Sequence, residues 1–291
     1  MQLNELIFVC ILFVILVYAA TRSNVTSSPS DSSRRALMHH SFVGLQARLD
    51  DGPEIMPFAR TAAISSPLPS KQNNWNDLVP VVDQGPWGSC TAFSMRYAYM
   101  LWYLRTNGTL PPEPSVAYWY AQSRNKLLGG TLSDTGSTTA ATVWVLANLG
   151  TPTNSQWPYT AANVFIKPTI SSLTNPKNSV PSVVTVYKNP VNTLEVLKRV
   201  IADNKTLLAS IMVYSSMMTT KVFVSGKVPM PNMSRESLQG GHAIAITGYD
   251  DAAQCFLFRN SWGSYDGING EFTIPYNYIT NPKLASSFYA F

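Results

Sequence analysis

The chain changes character near residue 205, and that change limits the folds open to it. Before it, apolar residues recur at helical steps. In Cys90–Thr106, Phe93, Tyr97, Met100, Leu101 and Leu104 return every three or four residues, and Asn107-Gly108 supplies a stop. Ser115–Leu127, opened by Pro114, and Ser137–Leu149, closed by Gly150 and Pro152, read as two further helices. Asn192–Asn204 is a fourth, with Asn192 and Glu195 spaced as in a capping box. After residue 205 come the short apolar segments "TLLASIMVY", "HAIAITGY", "CFLFRN" and "GEFTI", separated by Gly, Pro, Asn and Asp as strands are. Helices first and strands second predict an α+β protein of two lobes. No internal repeat interrupts that order.

Composition narrows the function. Charged residues are only 13% of the chain, against about 25% in typical globular proteins. The net charge of +5 is modest, and its basic residues are scattered. No Lys/Arg cluster alternates with aromatics, so a nucleic-acid partner is not expected. The cysteines are Cys10, Cys90 and Cys255. Cys10 falls in an N-terminal apolar run, which leaves two for the folded part, too few for a disulfide framework. No CxxC pair occurs, His39 and His40 are adjacent, and His242 stands alone. Neither a metal site nor a cofactor is expected.

Leu6–Ala20 is an unbroken apolar run. It has the length of a signal-peptide core and is shorter than the ~20 residues a spanning helix prefers. Residues 1–20 are therefore read as a signal peptide or a single-pass membrane anchor. Residues 21–70, rich in Ser and Pro, read as a linker or short pro-segment, and residues 71–291 as the folded domain. This organisation predicts a protein that is membrane-linked or secreted. Asn-x-Ser/Thr sequons at Asn24, Asn107, Asn204 and Asn232 agree with a glycoprotein of the secretory route.

The segment "DQGPWGSCTAFS" carries the chemistry. Cys90 opens a helix there, where the helix dipole favours a negative charge. A thiol attacks as the thiolate, so it also needs a base to take its proton. His242, in "GGHAIAITGYDD", is the candidate base. Asn260, in "FRNSWG", is a polar residue at the end of an apolar strand, placed to accept from one ring N–H and orient the imidazole. An oxyanion needs donors. The Cys90 backbone N–H supplies one, and the side-chain amide of Gln84, across a Gly-containing loop, the other. Alone, Cys90 or His242 would be read as a buried core residue; Cys255, in "CFLF", is read so.

Together these segments resemble the papain-type cysteine peptidases. "DQG-x-x-GSC-x-AFS" is similar to the family's nucleophile motif, "GGHAIAITGY" to its histidine motif, and "FRNSWG…GINGEF" to its asparagine motif. His242 lies 152 residues (242 − 90) and Asn260 170 residues (260 − 90) after Cys90, close to the family's spacing of about 130–150 with modest insertions. "DTGSTTAATVWVLANLGTPTNSQWPY" and "NTLEVLKRVIADNKTLLASIMVY" resemble the family's third helix and the helix–strand unit leading into its second lobe. The resemblance spans about Trp75 to Phe291.

The resemblance implies a papain-like fold, with a helical N-terminal lobe, a strand-rich, barrel-like C-terminal lobe and the active cleft between them. It implies Cys90 as nucleophile, His242 as general base and acid, Asn260 as orienter and Gln84 in the oxyanion hole. Trp262 would shield the His242–Asn260 bond from water. Gly136, or less well Gly129-Gly130, would line the cleft against substrate backbone, and protein or peptide would be the substrate. Two positions depart from the motif: Trp87 stands where "CGSC" has its first cysteine, and Thr91 where a Trp follows the nucleophile. Both resemble the outlying bacterial, archaeal and viral branch, which lacks the usual disulfides. Those departures, and the lack of a clear inhibitory pro-segment, keep a catalytically silent binding or structural module as the alternative. A transpeptidase or amidase using the same three residues is a third reading.

Overall fold

The computed structural model describes residues 67–128, 133–168, 185–187 and 194–290, and of residues 126–128 and 185–187 the backbone only. After strand β1 (Lys71–Asn73) the first half is helical: α1 (Cys90–Asn107), α2 (Val116–Leu128), α3 (Thr139–Leu149) and the short α4 (Ala161–Phe165). The second half holds β2 (Thr185–Tyr187), α5 (Leu194–Ala202), β3 (Leu207–Tyr214), α6 (Thr220–Ser225), β4 (Leu238–Asp250), β5 (Cys255–Arg259), β6 (Glu271–Pro275), α7 (Tyr276–Thr280) and β7 (Ala285–Ala290). The four expected helices form: α1 runs one residue longer, α2 is shifted by one residue, α3 starts two residues later, and α5 is two residues shorter at each end. Asn192 lies outside the described residues.

The strands make one antiparallel sheet in the order β2-β7-β3-β4-β5-β6, and β1 pairs with β4 beside it. Side chains of a strand alternate between faces, and here the two faces enter two cores. Leu207, Ala209, Ile211 and Val213 of β3, Ile244 and Ile246 of β4 and Phe288 of β7 join α5, α6 and α7 in one cluster. Leu208 of β3, Ala245 of β4 and Tyr289 of β7 face the other way, into a cluster built mainly from α1, α2 and α3. The sheet thus serves as core for its own lobe and as floor for the helical lobe, and α1 lies on that floor. Cys90, at the start of α1, packs against Ala243 of β4.

Two features were not legible in the helical half of the sequence. Strand β1 is a polar, largely exposed edge of three residues with no apolar period, and only its pairing with Gly248–Asp250 makes it a strand. It places the chain just upstream of the nucleophile segment on the sheet of the other lobe. Thr91, in place of the motif's Trp, accepts a hydrogen bond from the Thr142 hydroxyl at 3.0 Å, joining α1 to α3 through small side chains.

Gly248 sits where β1 and β5 both approach β4. A methyl group there would lie 2.4 Å from the Gln72 carbonyl oxygen and 3.0 Å from Asn73 Cα. Gly248→Ala is expected to force β1 off the sheet and cost about 1–3 kcal/mol, the usual range for overpacking. Urea unfolding read by tryptophan fluorescence checks this, and an unchanged midpoint would show that β1 contributes no stability.

Candidate active site

Asn260 directly follows β5, and its backbone is fixed from two sides. Its N–H donates to Gly270 O at 3.0 Å, and its carbonyl accepts from the Tyr97 hydroxyl at 3.1 Å. That hydroxyl also accepts from the Val82 N–H at 3.0 Å. Burial pushes the Tyr97 phenol up to about 12, so it stays protonated and bridges the two segments.

The chain after Asn260 runs antiparallel to the loop that precedes Cys90. Gln84 N–H donates to Ser261 O at 2.8 Å, and Gly263 N–H to Val82 O at 3.1 Å. Asp83 and Trp262 pair between them. The asparagine and nucleophile loops are thereby locked in register by backbone bonds.

His242 is fully buried. Its Nε2 lies 2.8 Å from Asn260 Oδ1, which also accepts from the Ser261 N–H at 2.9 Å. With Oδ1 as acceptor, Nε2 is the protonated nitrogen and Nδ1 the lone-pair nitrogen. Nδ1 is buried and makes no hydrogen bond. Ala243, the next residue of β4, packs against Cys90, so the His242 backbone lies one residue from the strand position that meets the start of α1. Trp262, 1% exposed, stacks on the imidazole at 4.9 Å and 29°, with Phe223 at 5.5 Å on the indole. The indole covers the imidazole and presents almost no surface of its own to a ligand.

Burial pushes His242 down to about 4, against the raising effect of the Asn260 bond. The imidazole is therefore held neutral.

The Gln84 side chain is also held firmly. Its Oε1 accepts from the Ser261 hydroxyl at 2.6 Å, and its Nε2 donates to Trp87 O at 2.8 Å. Its backbone carbonyl accepts from the Tyr159 hydroxyl at 2.8 Å, which lies 2.6 Å from Ser89 Oγ. Ser89 precedes α1 without capping it by its side chain. The Tyr159 ring meets Trp87 and Phe93 edge-on, each at 5.0 Å. Aromatic packing thus stands where the motif's first cysteine would form a cross-link, and neither Cys90 nor Cys255 is in a disulfide.

Gly136 is buried in the turn before α3, at φ 69°, a conformation that glycine adopts without steric cost. Its N–H donates to the Tyr120 hydroxyl at 3.1 Å. The observed requirement on Gly136 is therefore the turn itself. Gly129 and Gly130 lie outside the described residues. The structure brings Cys90, His242, Asn260, Gln84 and Trp262 to one seam between the lobes. Sequence reading overlooked Tyr97, Tyr159 and Ser261, which fix those residues. All three lie in segments named above, Tyr97 as an apolar position of the first helix, Tyr159 at the end of "SQWPY" and Ser261 inside "FRNSWG", but none shows in the sequence which group its hydroxyl meets.

The family model for papain family cysteine proteases matches residues 69–290, and the chain belongs to the papain family of cysteine proteases. An uncharacterized peptidase C1-like protein of Acanthamoeba polyphaga mimivirus is 28% identical over 213 residues, 72% of this chain and 68% of that protein. Xylellain, a cysteine protease from Xylella fastidiosa, has 28% identity and a TM-score of 0.72, over 86% of this chain and 96% of its own. Digestive procathepsin L 3 of the Tenebrio molitor larval midgut shares the fold at TM-score 0.63 and 19% identity, over 87% of this chain and 78% of that one. The viral and bacterial relatives agree with the outlying branch that the motif departures resemble. The chain is a cysteine peptidase, whose reaction is thiol-dependent hydrolysis of peptide bonds through an acyl-enzyme. Nothing in these likenesses favours the silent module.

A histidine whose pKa is lowered by folding stabilises the native state fully above its unfolded value of about 6.5 and progressively less as pH falls through the folded value. In Cys90→Ala, which has no thiolate to compensate a charged ring, stability is expected to fall by roughly 3 kcal/mol between pH 6.5 and 4 on account of His242. Denaturant titrations of Cys90→Ala and Cys90→Ala/His242→Gln across that range check it. Equal acid sensitivity of the two would show that His242 is not the group responsible.

Proposed function

We propose that Cys90 is the nucleophile of this peptidase, His242 the base that takes its proton at Nδ1 and returns it to the leaving amine, and Asn260 the group that holds the imidazole. The observation that supports the assignment is the His242 Nε2–Asn260 Oδ1 contact at 2.8 Å, which leaves Nδ1 as the lone-pair nitrogen, together with the packing of Cys90 against Ala243, the residue after His242. A ring held by one nitrogen cannot turn, so the other stays aimed. The Cys90 N–H and an N–H of Gln84 bind the oxyanion as the scissile carbonyl becomes tetrahedral. Attack gives a thioester and releases the amine; water, deprotonated by His242, then releases the acid. Trp262 acts by excluding water from the imidazole–amide bond, which strengthens it. The turn at Gly136 borders the cleft, where substrate backbone is bound.

We extend the reading to cleavage within chains. An enzyme that trims ends must bind a terminal charge, and the carboxylates around the nucleophile loop are occupied by its own backbone: Asp83 accepts from Gly85 N–H and Asp134 from Gly88 N–H. The peptidase domain is proposed to run over residues 71–291, behind a linker or pro-segment (21–70) and an apolar run (1–20) that directs it to a membrane or out of the cell. No helix among the described residues is long and apolar enough to cross a membrane, and residues 1–66 lie outside them. Of the proposed glycan sites, Asn107, Asn204 and Asn232 are exposed; Thr206, the hydroxyl residue of the Asn204 sequon, is fully buried. Asn24 lies outside the described residues.

The test is digestion of an unfolded protein, with product ends read by mass spectrometry. Internal cuts that vanish in Cys90→Ala are expected; products shortened only from their ends would overturn the endopeptidase reading, and cuts that persist in Cys90→Ala would overturn the assignment. Gln84→Ala is expected to lower kcat about 10²-fold, the scale of one oxyanion donor. Ser261→Ala, which releases Gln84 Oε1, should lower it about tenfold. A Ser261→Ala enzyme with unchanged kcat would show that the hydroxyl does not orient Gln84.

A further inference from the structure

The loop from Gln84 to Cys90 carries both proposed oxyanion donors, so its placement sets the geometry of the reaction. Tyr159 holds its two ends, at the Gln84 carbonyl and at Ser89. Its middle is held differently. The Gly88 N–H points at the Asp134 carboxylate, 3.1 Å from each oxygen. The same carboxylate accepts from the Tyr120 hydroxyl, and that hydroxyl accepts the Gly136 N–H. Burial, followed by the bond to Asp134, pushes the Tyr120 phenol far up, so it remains a donor. Behind it, the buried Arg124 guanidinium lies over the Tyr120 ring at 4.1 Å. Arg124 Nη1 also donates to Ser133 O at 2.6 Å, fixing the residue before Asp134.

A carboxylate is a strong acceptor for a backbone amide, and each such bond is worth about twice a neutral one. Here it acts two residues before Cys90, next to Trp87, which occupies the place of the motif's cysteine and offers no covalent tie. We propose that Asp134 is a positioning residue of this peptidase, anchoring Gly88 and Tyr120 so that the oxyanion donors keep a fixed distance from the Gly136 turn that borders the substrate. The proposal rests on the assignment of Cys90, His242 and Gln84 above. Asp134 does not touch the sulfur or the imidazole in this arrangement, so its loss is predicted to spare thiol activation and to impair the tetrahedral state.

Three measurements on the full chain separate these effects: kcat and KM on a peptide substrate, affinity for a peptide aldehyde, and the rate of Cys90 alkylation by iodoacetamide. The aldehyde forms a tetrahedral adduct with the sulfur and needs the oxyanion donors; alkylation needs only the thiolate. For Asp134→Ala, kcat and aldehyde affinity are expected to fall together by about 10–100-fold, the scale of an ångström of misplacement. KM and the alkylation rate should stay within about threefold. Asp134→Asn keeps an oxygen for the Gly88 N–H and should recover most of the loss, while Tyr120→Phe should show the same pattern at about three- to fivefold. Should Asp134→Ala not fold, the Asp134→Asn and Tyr120→Phe pair decides by the same split. Unchanged kcat and aldehyde affinity, or alkylation falling in step with them, would overturn the proposal while the assignment stands. An unaltered chain that neither cleaves peptide nor is alkylated at Cys90 would instead overturn the assignment, and the proposal with it.

Discussion

The antiparallel pairing of Val82–Gln84 with Ser261–Gly263 is the constraint on which the site depends. Cys90 and His242 belong to different lobes, one at the start of a helix and one inside a strand. Two lobes packed only by apolar contact can slide by fractions of an ångström at little cost. Backbone bonds cannot slide without breaking, so the pairing fixes the nucleophile loop against the asparagine loop. The Tyr97 hydroxyl adds a third link between the same segments, from Val82 N–H to the Asn260 carbonyl. Asn260 in turn fixes the imidazole. The chain of restraint therefore runs from main-chain hydrogen bonds through one amide to one ring.

Electrostatics explains why such restraint is needed. A fully buried imidazole resists protonation, and its pKa of about 4 expresses that. It gains a proton readily only when an anion appears at the right place, which is what a thiolate at a helix start provides. The ion pair is therefore sensitive to geometry in a way that an exposed pair is not. Around it the molecule uses neutral donors and backbone amides: Tyr97, Tyr159, Ser261 and the Gln84 amide. The carboxyl of Asp134 joins them by accepting from a backbone N–H and a phenol.

Much of this was readable from the chain. The helices declared themselves by period and the strands by short apolar runs, because both faces of the sheet are buried and few polar residues interrupt it. Cys90, His242, Asn260 and Gln84 stand in motifs whose order and spacing single them out as candidates. What was hidden has one physical cause. A hydroxyl or carboxylate carries no sequence mark of the distant backbone group that it will meet. Tyr97 looked like one more aromatic on a core face, yet its hydroxyl joins residues 82 and 260. Asp134 opens a segment notable in the sequence only for its helix, yet it holds Gly88, 46 positions earlier. Strand β1 was hidden because its conformation comes from Gly248–Asp250 and not from its own residues. Gly136 reads from the sequence either as a cleft residue or as a plain turn, and its backbone angle shows the turn.

The central claim is that burial, Asn260 and the helix start combine to make Cys90 a thiolate paired with His242. Its most direct test is competition between Cys90 and Cys255 for a sub-stoichiometric alkylating agent near pH 6, with the adduct located by mass spectrometry and His242→Ala as the control. The account predicts rapid labelling of Cys90, little at Cys255, and loss of the fast rate in His242→Ala. Equal and slow labelling of both cysteines in the unaltered protein would contradict it.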